Sequence, residues 1–273
     1  MTKFRKDIVK NLVKKLNLNE NDLKLSWNKK SFSTRFFYLD NILPKNIIND
    51  IYKDIIKNKE FFFHQKSYRE DKLTLPNIKI FSDLTKEFIY SLYSPSFVKQ
   101  VSNIVGIKNL QVDKSFYAGG ISIMNKNNFL LPHIDNSHDM TRKRYRRLNL
   151  LFYLSPGWKP HFGGNLELWN KAVTKKHTIC ALQNRIVVME TNHNSYHSVS
   201  KVAVEDPRLC ISVYFYTNES PNKKNYFHVT SFIPEDKKIF KRIIYKIDTL
   251  LRYFVGKNFK MGRGKKLLNK NKH

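Results

Sequence analysis

The pattern of apolar and polar positions divides the chain into a helical first part, a strand-rich middle and a helical end. Near the start, Phe4, Ile8, Val9, Leu12, Val13 and Leu16 recur at helical spacing while Lys3, Lys6, Lys10 and Lys14 fall elsewhere, which predicts an amphipathic helix. The segment NILPKNIINDIYKDIIKN, from Asn41, repeats that period, and TKEFIYSLYSPSFVKQVSNIVG ends at Gly106, a residue suited to a helix stop. Residues 41–106 are therefore expected to be mostly helical. From Leu110 the pattern changes to short β runs divided by turn residues: LQVDKSFYAGG, GISIM, NFLLPHID, RLNLLFYLSPGW, GNLELWN, HTICAL, RIVVMET and RLCISVYFYT. Such a succession without intervening helices predicts an antiparallel barrel or sandwich. At the end, Ile239, Phe240, Ile243, Ile244, Ile247, Leu250, Leu251 and Phe254 return to helical spacing, with Lys237, Lys238, Lys241, Arg242, Lys246 and Arg252 on other faces. This last helix is expected to pack against the main domain rather than lie on a membrane or a partner. The stretch from Lys257 to His273, with seven Lys or Arg and no acid, is expected to be disordered.

Composition adds bounds to this outline. A chain of 273 residues with 41% hydrophobic content and 14% aromatics can bury a sizeable core. The longest apolar runs, such as LNLLFYL, stop well short of the ~18 residues of a membrane-spanning helix. The N-terminus scatters lysines and holds no continuous apolar core, so it does not read as a secretory signal. Cys180 and Cys210 lie in apolar, strand-like stretches and read as buried thiols rather than a disulfide framework, so a reducing, cytoplasmic compartment is expected. The net charge of +28, from 50 basic against 22 acidic residues, would attract phosphates, nucleic acid or an anionic membrane surface. The joint abundance of Lys, Asn and Ile is equally what an A/T-rich genome encodes.

The candidate chemistry begins at LLPHIDNSHD. Side chains two apart on a strand point the same way, so His133 and Asp135 can share one ion. Alone, His-x-Asp is a weak signal, and a turn at NSHD is its plain alternative. A third ligand would come from His161, His177, His193 or His197. Eleven residues beyond His197 stands Arg208, at the head of RLCISVYFYT, on one strand face with Cys210 and Ser212. Two His and one carboxylate, with three positions left open, is the arrangement associated with non-haem iron oxygenases, and an inward Arg is a fork for a carboxylate.

From roughly Asp40 to Tyr226 the match extends beyond these residues. The order YAGGISIM, FLLPHID, RRLNLLFYLSPGWKPHFGGNLELW, NRIVVMETNHNSYHSV and PRLCISVYFYT resembles the Fe(II)- and 2-oxoglutarate-dependent oxygenases, in their prolyl-4-hydroxylase-like branch. The resemblance implies a mainly β fold with flanking helices: a double-stranded β-helix (jelly-roll or cupin-like) core at about 107–218, N-terminal helical support and a C-terminal basic helix. The organisation it suggests is a basic helical extension at 1–32, an oxygenase domain at 33–231, and a basic helix and tail at 232–273. It implies His133, Asp135 and His197 as catalytic iron ligands, preferring His197 to His193, and Arg208 as partner of the distal carboxylate of 2-oxoglutarate. Relatives often carry Ser or Thr where Cys210 stands, so Ser212 or Tyr117 is expected to supply the second contact to that carboxylate.

The implied cofactors are Fe(II), 2-oxoglutarate as cosubstrate and O2, with ascorbate as reductant. The implied reaction hydroxylates a prolyl or other aliphatic centre in a peptide, protein or small molecule and releases succinate and CO2. Asp135 sets aside the halogenases, which carry a small residue there. RLCISVYFY lacks the additional Arg and Asn typical of nucleic-acid demethylases. The alternative class is a binding module for nucleic acid or an anionic surface, using the basic termini, with a vestigial iron site. Among other residues, Gly119, Gly120, Gly163 and Gly164 are expected to form tight turns and Trp158, Trp169 and Tyr153 to fill the core. His138 and Asp139 are expected in a solvated loop.

Overall fold

The computed structural model describes residues 2–29, 33–113, 116–117, 119–221, 224–235 and 239–259. In chain order the elements are α1 (Lys3–Leu18), α2 (Glu20–Asn28), β1 (Phe36–Leu39), α3 (Lys45–Lys57), β2 (Phe63–Lys66), β3 (Glu70–Leu75), α4 (Asp83–Ser91) and α5 (Pro95–Val105). There follow β4 (Gln111–Val112), β5 (Gly120–Met124), β6 (Phe129–Ile134), β7 (Tyr145–Tyr153), β8 (Leu166–Trp169), β9 (Lys176–Ile179), β10 (Arg185–Glu190), β11 (His197–Val199), β12 (Arg208–Thr217), β13 (Ser231–Phe232) and α6 (Ile239–Phe259). The strands pair antiparallel in the order β1-β10-β7-β12-β5-β3-β6-β11-β8-β9, with β13 on β6, β2 on β3 and β4 on β12. The result is the curled half-barrel of a double-stranded β-helix with flanking helices.

Strands β7 and β12 set the frame because nearly every position in them is buried, which requires cover on both faces. Alternation sorts their side chains into two cores. Leu148, Leu150, Phe152, Leu209, Ile211, Val213 and Phe215 face outward and pack with the helices, as where Phe152 meets Phe88 of α4 edge-on at 4.9 Å. Leu151, Tyr153 and Cys210 face inward and join Leu166, Leu168, Val187 and Met189 inside the barrel. The register Cys210↔Tyr153, Ser212↔Leu151 and Tyr214↔Asn149 holds the inward residues of the two strands in rows.

The helices begin and end where local chemistry directs. Ser82 and Ser94 cap α4 and α5 by accepting from the backbone N–H groups of Thr85 and Phe97, and Pro95 occupies the first turn of α5. Gly106 closes α5 at φ 67, the left-handed conformation that glycine adopts without steric cost. Helix α1 buries Ile8, Val9, Leu12 and Leu16 against α4 and α5, and Arg5 forks onto both oxygens of Glu87 at 2.5 and 2.7 Å. Thus α1 and α2 share the outer core of the main sheet rather than standing apart from it.

One sequence expectation is extended and one is corrected. Residues 41–106 are mostly helical, as expected, through α3, α4 and α5, but they also hold the β2–β3 hairpin, closed at its turn by Ser67 N–H donating to the Glu70 carbonyl at 2.8 Å. Leu73 and Leu75 follow a period of two and pair with Ile123 and Ile121 of β5, so sheet contacts decide this segment. Among the described residues of LQVDKSFYAGG, β4 and the first residue of β5 are extended, and Phe116 sits at φ 55. Helix α6 does pack on the barrel, as expected, but meets it with polar side chains. The tail expected to be disordered falls, beyond Phe259, outside the described residues. No described helix is long and apolar enough to cross a membrane.

Candidate functional site

Strands β6 and β11 pair so that His133 and His197 stand directly opposite each other, with ring centroids 4.2 Å apart. Asp135 follows one residue past the end of β6 and turns its carboxylate between them, Oδ1 lying 3.8 Å from His133 Nε2 and Oδ2 3.8 Å from His197 Nε2. All three ligand atoms lie within 4.8 Å of one another, and all three residues are buried. Each imidazole is held by its other nitrogen: His133 Nδ1 bonds the Leu131 carbonyl at 2.9 Å and His197 Nδ1 the Ser195 carbonyl at 3.0 Å. A carbonyl can only accept, so both Nδ1 atoms carry the proton and both Nε2 lone pairs are turned toward Asp135.

The electrostatics agree with that geometry. Burial, reinforced by His197, pushes His133 down to about 3, so this imidazole is neutral at physiological pH. Burial alone would raise Asp135, but His197, Arg146 and His133 outweigh it and hold the carboxylate below its usual range. Asp135 Oδ1 accepts from the Tyr214 hydroxyl at 3.4 Å and faces Arg146 Nη1 at 3.7 Å, while Oδ2 has no hydrogen-bond partner among the described residues. Arg146 is itself 1% exposed, stacks 3.7 Å from the Tyr214 ring centroid and bonds the Tyr216 hydroxyl at 3.3 Å. A buried set of two imidazoles and one anionic carboxylate is a donor set for a divalent transition metal.

The inward face of β12 carries Arg208, Cys210, Ser212 and Tyr214, all lining one cavity of about 620 Å³ that also contains His133, Asp135 and His197. Arg208 is 3% exposed. Its Nε donates to the Gly164 carbonyl at 3.0 Å, Nη1 rests 3.8 Å from the Met124 sulfur, and its guanidinium lies 4.9 Å from the Tyr153 ring centroid. Among the described residues no carboxylate pairs with it. Tyr153 is fully buried, its hydroxyl lies beside Arg208, and among the described residues its O–H has no acceptor. A buried cation without an anion, beside an orphaned donor, is an incomplete arrangement that an anionic ligand would complete.

The Gly163–Gly164 pair is a turn, as expected, and its geometry requires glycine. Both residues have φ above 60°, and a Cβ on Gly163 would meet the Lys201 carbonyl oxygen at 2.0 Å, while one on Gly164 would press on Arg208 Cγ at 3.0 Å. This close approach lets the backbone reach the guanidinium. Of the other candidate histidines, His161 and His193 are exposed and His177 packs on Phe36 of β1.

His138 and Asp139 do not form a solvated loop. They are 7% and 4% exposed and line the cavity, because the turn satisfies its own polar groups. Ser137 Oγ meets His138 Nδ1 at 2.7 Å, and Asp139 accepts from Arg144 Nε at 2.8 Å and from Thr141. Tyr117 lines the same cavity, with Arg146, Arg142 and Asp139 nearby. Tyr153 fills the inner core, as expected, with its ring 4.9 Å from the Arg208 guanidinium. Sequence reasoning missed β13, whose Phe232 stacks on His133 at 5.1 Å.

His228, near this turn, gives a pH prediction. Burial, with Arg146, His138 and His193 nearby, pushes its imidazole down to about 4 from 6.5. The unfolded chain takes up this proton first, so the stability involved is complete above pH 6.5 and is lost as pH falls toward 4. His228→Phe is expected to shrink the fall in urea-unfolding free energy between those limits by on the order of 1 kcal/mol. An unchanged pH profile would count against the assignment.

Comparison with known proteins places these features. Residues 119–216 match the family model described as the 2OG-Fe(II) oxygenase superfamily. The chain is similar to the Mus musculus prolyl 3-hydroxylase OGFOD1, 32% identical over 106 residues, which are 34% of this chain and 19% of that protein. It therefore spans about a fifth of that relative's length. Among solved structures, a Pseudomonas putida prolyl-4-hydroxylase superposes with a TM-score of 0.54 at 14% identity, covering 71% of this chain and 98% of that one. A prolyl 4-hydroxylase from Phytophthora capsici gives 0.54 at 14% identity, covering 91% and 78%. At such identities these two likenesses speak for the fold.

Proposed function

Because residues 119–216 match the 2OG-Fe(II) oxygenase superfamily model, we propose that the chain is an Fe(II)- and 2-oxoglutarate-dependent dioxygenase hydroxylating an aliphatic centre, with a prolyl residue of a peptide or protein as the first substrate class to test. The observation that carries the reading is the buried convergence of His133, Asp135 and His197 in one cavity with an Arg208 that has no carboxylate partner among the described residues. When bound, Fe(II) with 2-oxoglutarate and O2 supplies the oxidising power, coupling decarboxylation to succinate and CO2 with insertion of oxygen into a C–H bond.

The chain's own residues do the rest. His133 and His197 hold Fe(II) through Nε2, their rings oriented by the Leu131 and Ser195 carbonyls. Asp135 supplies the anionic ligand, its Oδ2 aimed into the set while Arg146 and Tyr214 steady Oδ1. Arg208 receives the distal carboxylate of 2-oxoglutarate. Tyr153 is the better placed second donor to it, in preference to Tyr117 or Ser212, since it adjoins the guanidinium and its O–H has no acceptor among the described residues. Leu151, Leu166 and Val199 give the same cavity part of its apolar wall.

A binding module with a vestigial site is not favoured, because four buried polar groups would then be kept at a desolvation cost with no ligand to offset it. The reading is tested by succinate release from 2-oxoglutarate with Fe(II) and ascorbate, without prime substrate. Wild type is expected to form succinate, and His133→Ala and Arg208→Ala to form none. If wild type binds neither Fe(II) nor 2-oxoglutarate in anaerobic titration, the proposal fails.

A further inference from the structure

Helix α6 is amphipathic, yet it turns its polar side to the barrel. Asp248 pairs with Arg69 and, at 2.8 Å, with Arg252, which also donates to the Thr230 carbonyl. Arg142 donates to the Gly256 carbonyl, and Arg242 to those of Ala172 and Val173 at 3.3 and 3.4 Å. Tyr245 meets Tyr68 edge-on, and Tyr253 packs on Phe227. The opposite side carries Phe240, Ile243, Ile244, Ile247, Leu250 and Phe254, each between 44% and 74% exposed. Their spacing makes one continuous stripe along a helix roughly 30 Å long, an apolar surface that a soluble chain rarely leaves in water.

The charges beside the stripe indicate what covers it. Lys241, Lys246 and Lys257 are exposed, and the one acidic residue of α6, Asp248, is committed to Arg69 and Arg252. The sequence from Lys257 onward adds basic residues and no acid. A second copy would bring two chains of net charge +28 together through lysine-flanked stripes, which electrostatic repulsion opposes. A polynucleotide would satisfy the lysines and leave the apolar stripe in water. An anionic bilayer satisfies both, accepting the stripe among headgroups and acyl chains and the lysines on its phosphates. Leu251, Arg252 and Val255 of the same helix line the cavity that holds His133 and Arg208, so docking sets the cavity mouth beside the lipid surface.

We propose that α6 is an interfacial anchor that lays its apolar stripe into the surface of an anionic lipid bilayer. The test is co-sedimentation of the full chain with vesicles of phosphatidylcholine alone or with about 30% phosphatidylserine, enough to give a negative surface potential. Wild type is expected to bind the mixed vesicles at least about tenfold more tightly than the neutral ones. The triple variant Ile244→Asp, Ile247→Asp, Phe254→Asp is expected to lose about tenfold or more of that binding, without change in circular dichroism, because these side chains are exposed. The triple variant Lys241→Gln, Lys246→Gln, Lys257→Gln is expected to lose the preference for anionic lipid. Three results would overturn the proposal: no binding to either vesicle, full binding by the aspartate variant, or a wild-type dimer in sedimentation equilibrium that the aspartate variant dissociates. None of these outcomes depends on oxygenase activity.

Discussion

Replacing Asp135 by asparagine is expected to lower Fe(II)-dependent succinate formation by at least about two orders of magnitude, since a metal ion at a reacting centre contributes several kcal/mol. The amide keeps the shape of the side chain and removes its charge, so the effect reports ligation rather than packing. The carboxylate sits 3.8 Å from both histidine Nε2 atoms, and its Oδ2 has no hydrogen-bond partner among the described residues. The same change leaves the 1%-exposed Arg146 without its facing anion. Metal-free Asp135→Asn is therefore also expected to unfold at lower urea, by about 1 to 3 kcal/mol. Anaerobic Fe(II) titration, the succinate assay and urea unfolding separate the two effects. An asparagine variant with wild-type metal affinity and rate would remove Asp135 from the ligand set.

Arg208→Lys is expected to raise KM for 2-oxoglutarate by roughly 10- to 100-fold, equivalent to the 1.5 to 3 kcal/mol of a charge-assisted hydrogen bond, with a smaller change in kcat. Lysine keeps the charge but lacks the planar fork. It also gives up the Nε bond to the Gly164 carbonyl. Tyr153→Phe should raise the same KM about fivefold, the effect of one neutral hydrogen bond, while leaving the fully buried ring in place. Cys210→Ser is expected to change KM less than either. Should the lysine and phenylalanine variants both match wild type in KM, the distal carboxylate must bind elsewhere.

The parts of this arrangement differ in how far the sequence reveals them. His133 lies on β6 and Asp135 directly follows its last residue, so their spacing of two suffices to set them together. His197 is 64 residues away and opposes His133 only through the β6–β11 register; residue spacing alone left four histidines open, and resemblance to known oxygenases was needed to choose. Arg208 was legible because β12 is long and regular. Tyr153 was not, since an aromatic in an apolar strand reads as core, and its hydroxyl gains meaning only from its register opposite Cys210 and its closeness to Arg208. The β2–β3 hairpin lies between helical segments in a charged stretch, where period-two patterning is short and β5 supplies the decisive contacts. For α6, periodicity showed which residues share a side but not which side meets the protein, because that depends on barrel groups such as Arg69, Arg142 and Phe227.

The two-sided burial of β12 has a consequence for how this protein can change. Odd and even positions along the strand belong to different tasks: Leu209, Ile211, Val213 and Phe215 fill the helix-covered core, while Arg208, Cys210, Ser212 and Tyr214 face the cavity. Inserting or deleting a single residue would exchange the two sets, driving Arg208 into the aliphatic layer and four apolar side chains into the cavity. Substitutions at even positions act first on the cavity, and those at odd positions on the helix-covered core. The strand's reading frame is thus under tighter constraint than the identity of most residues on it, and variation in what the cavity accepts is channelled to point changes at alternate positions and to the loops around the mouth.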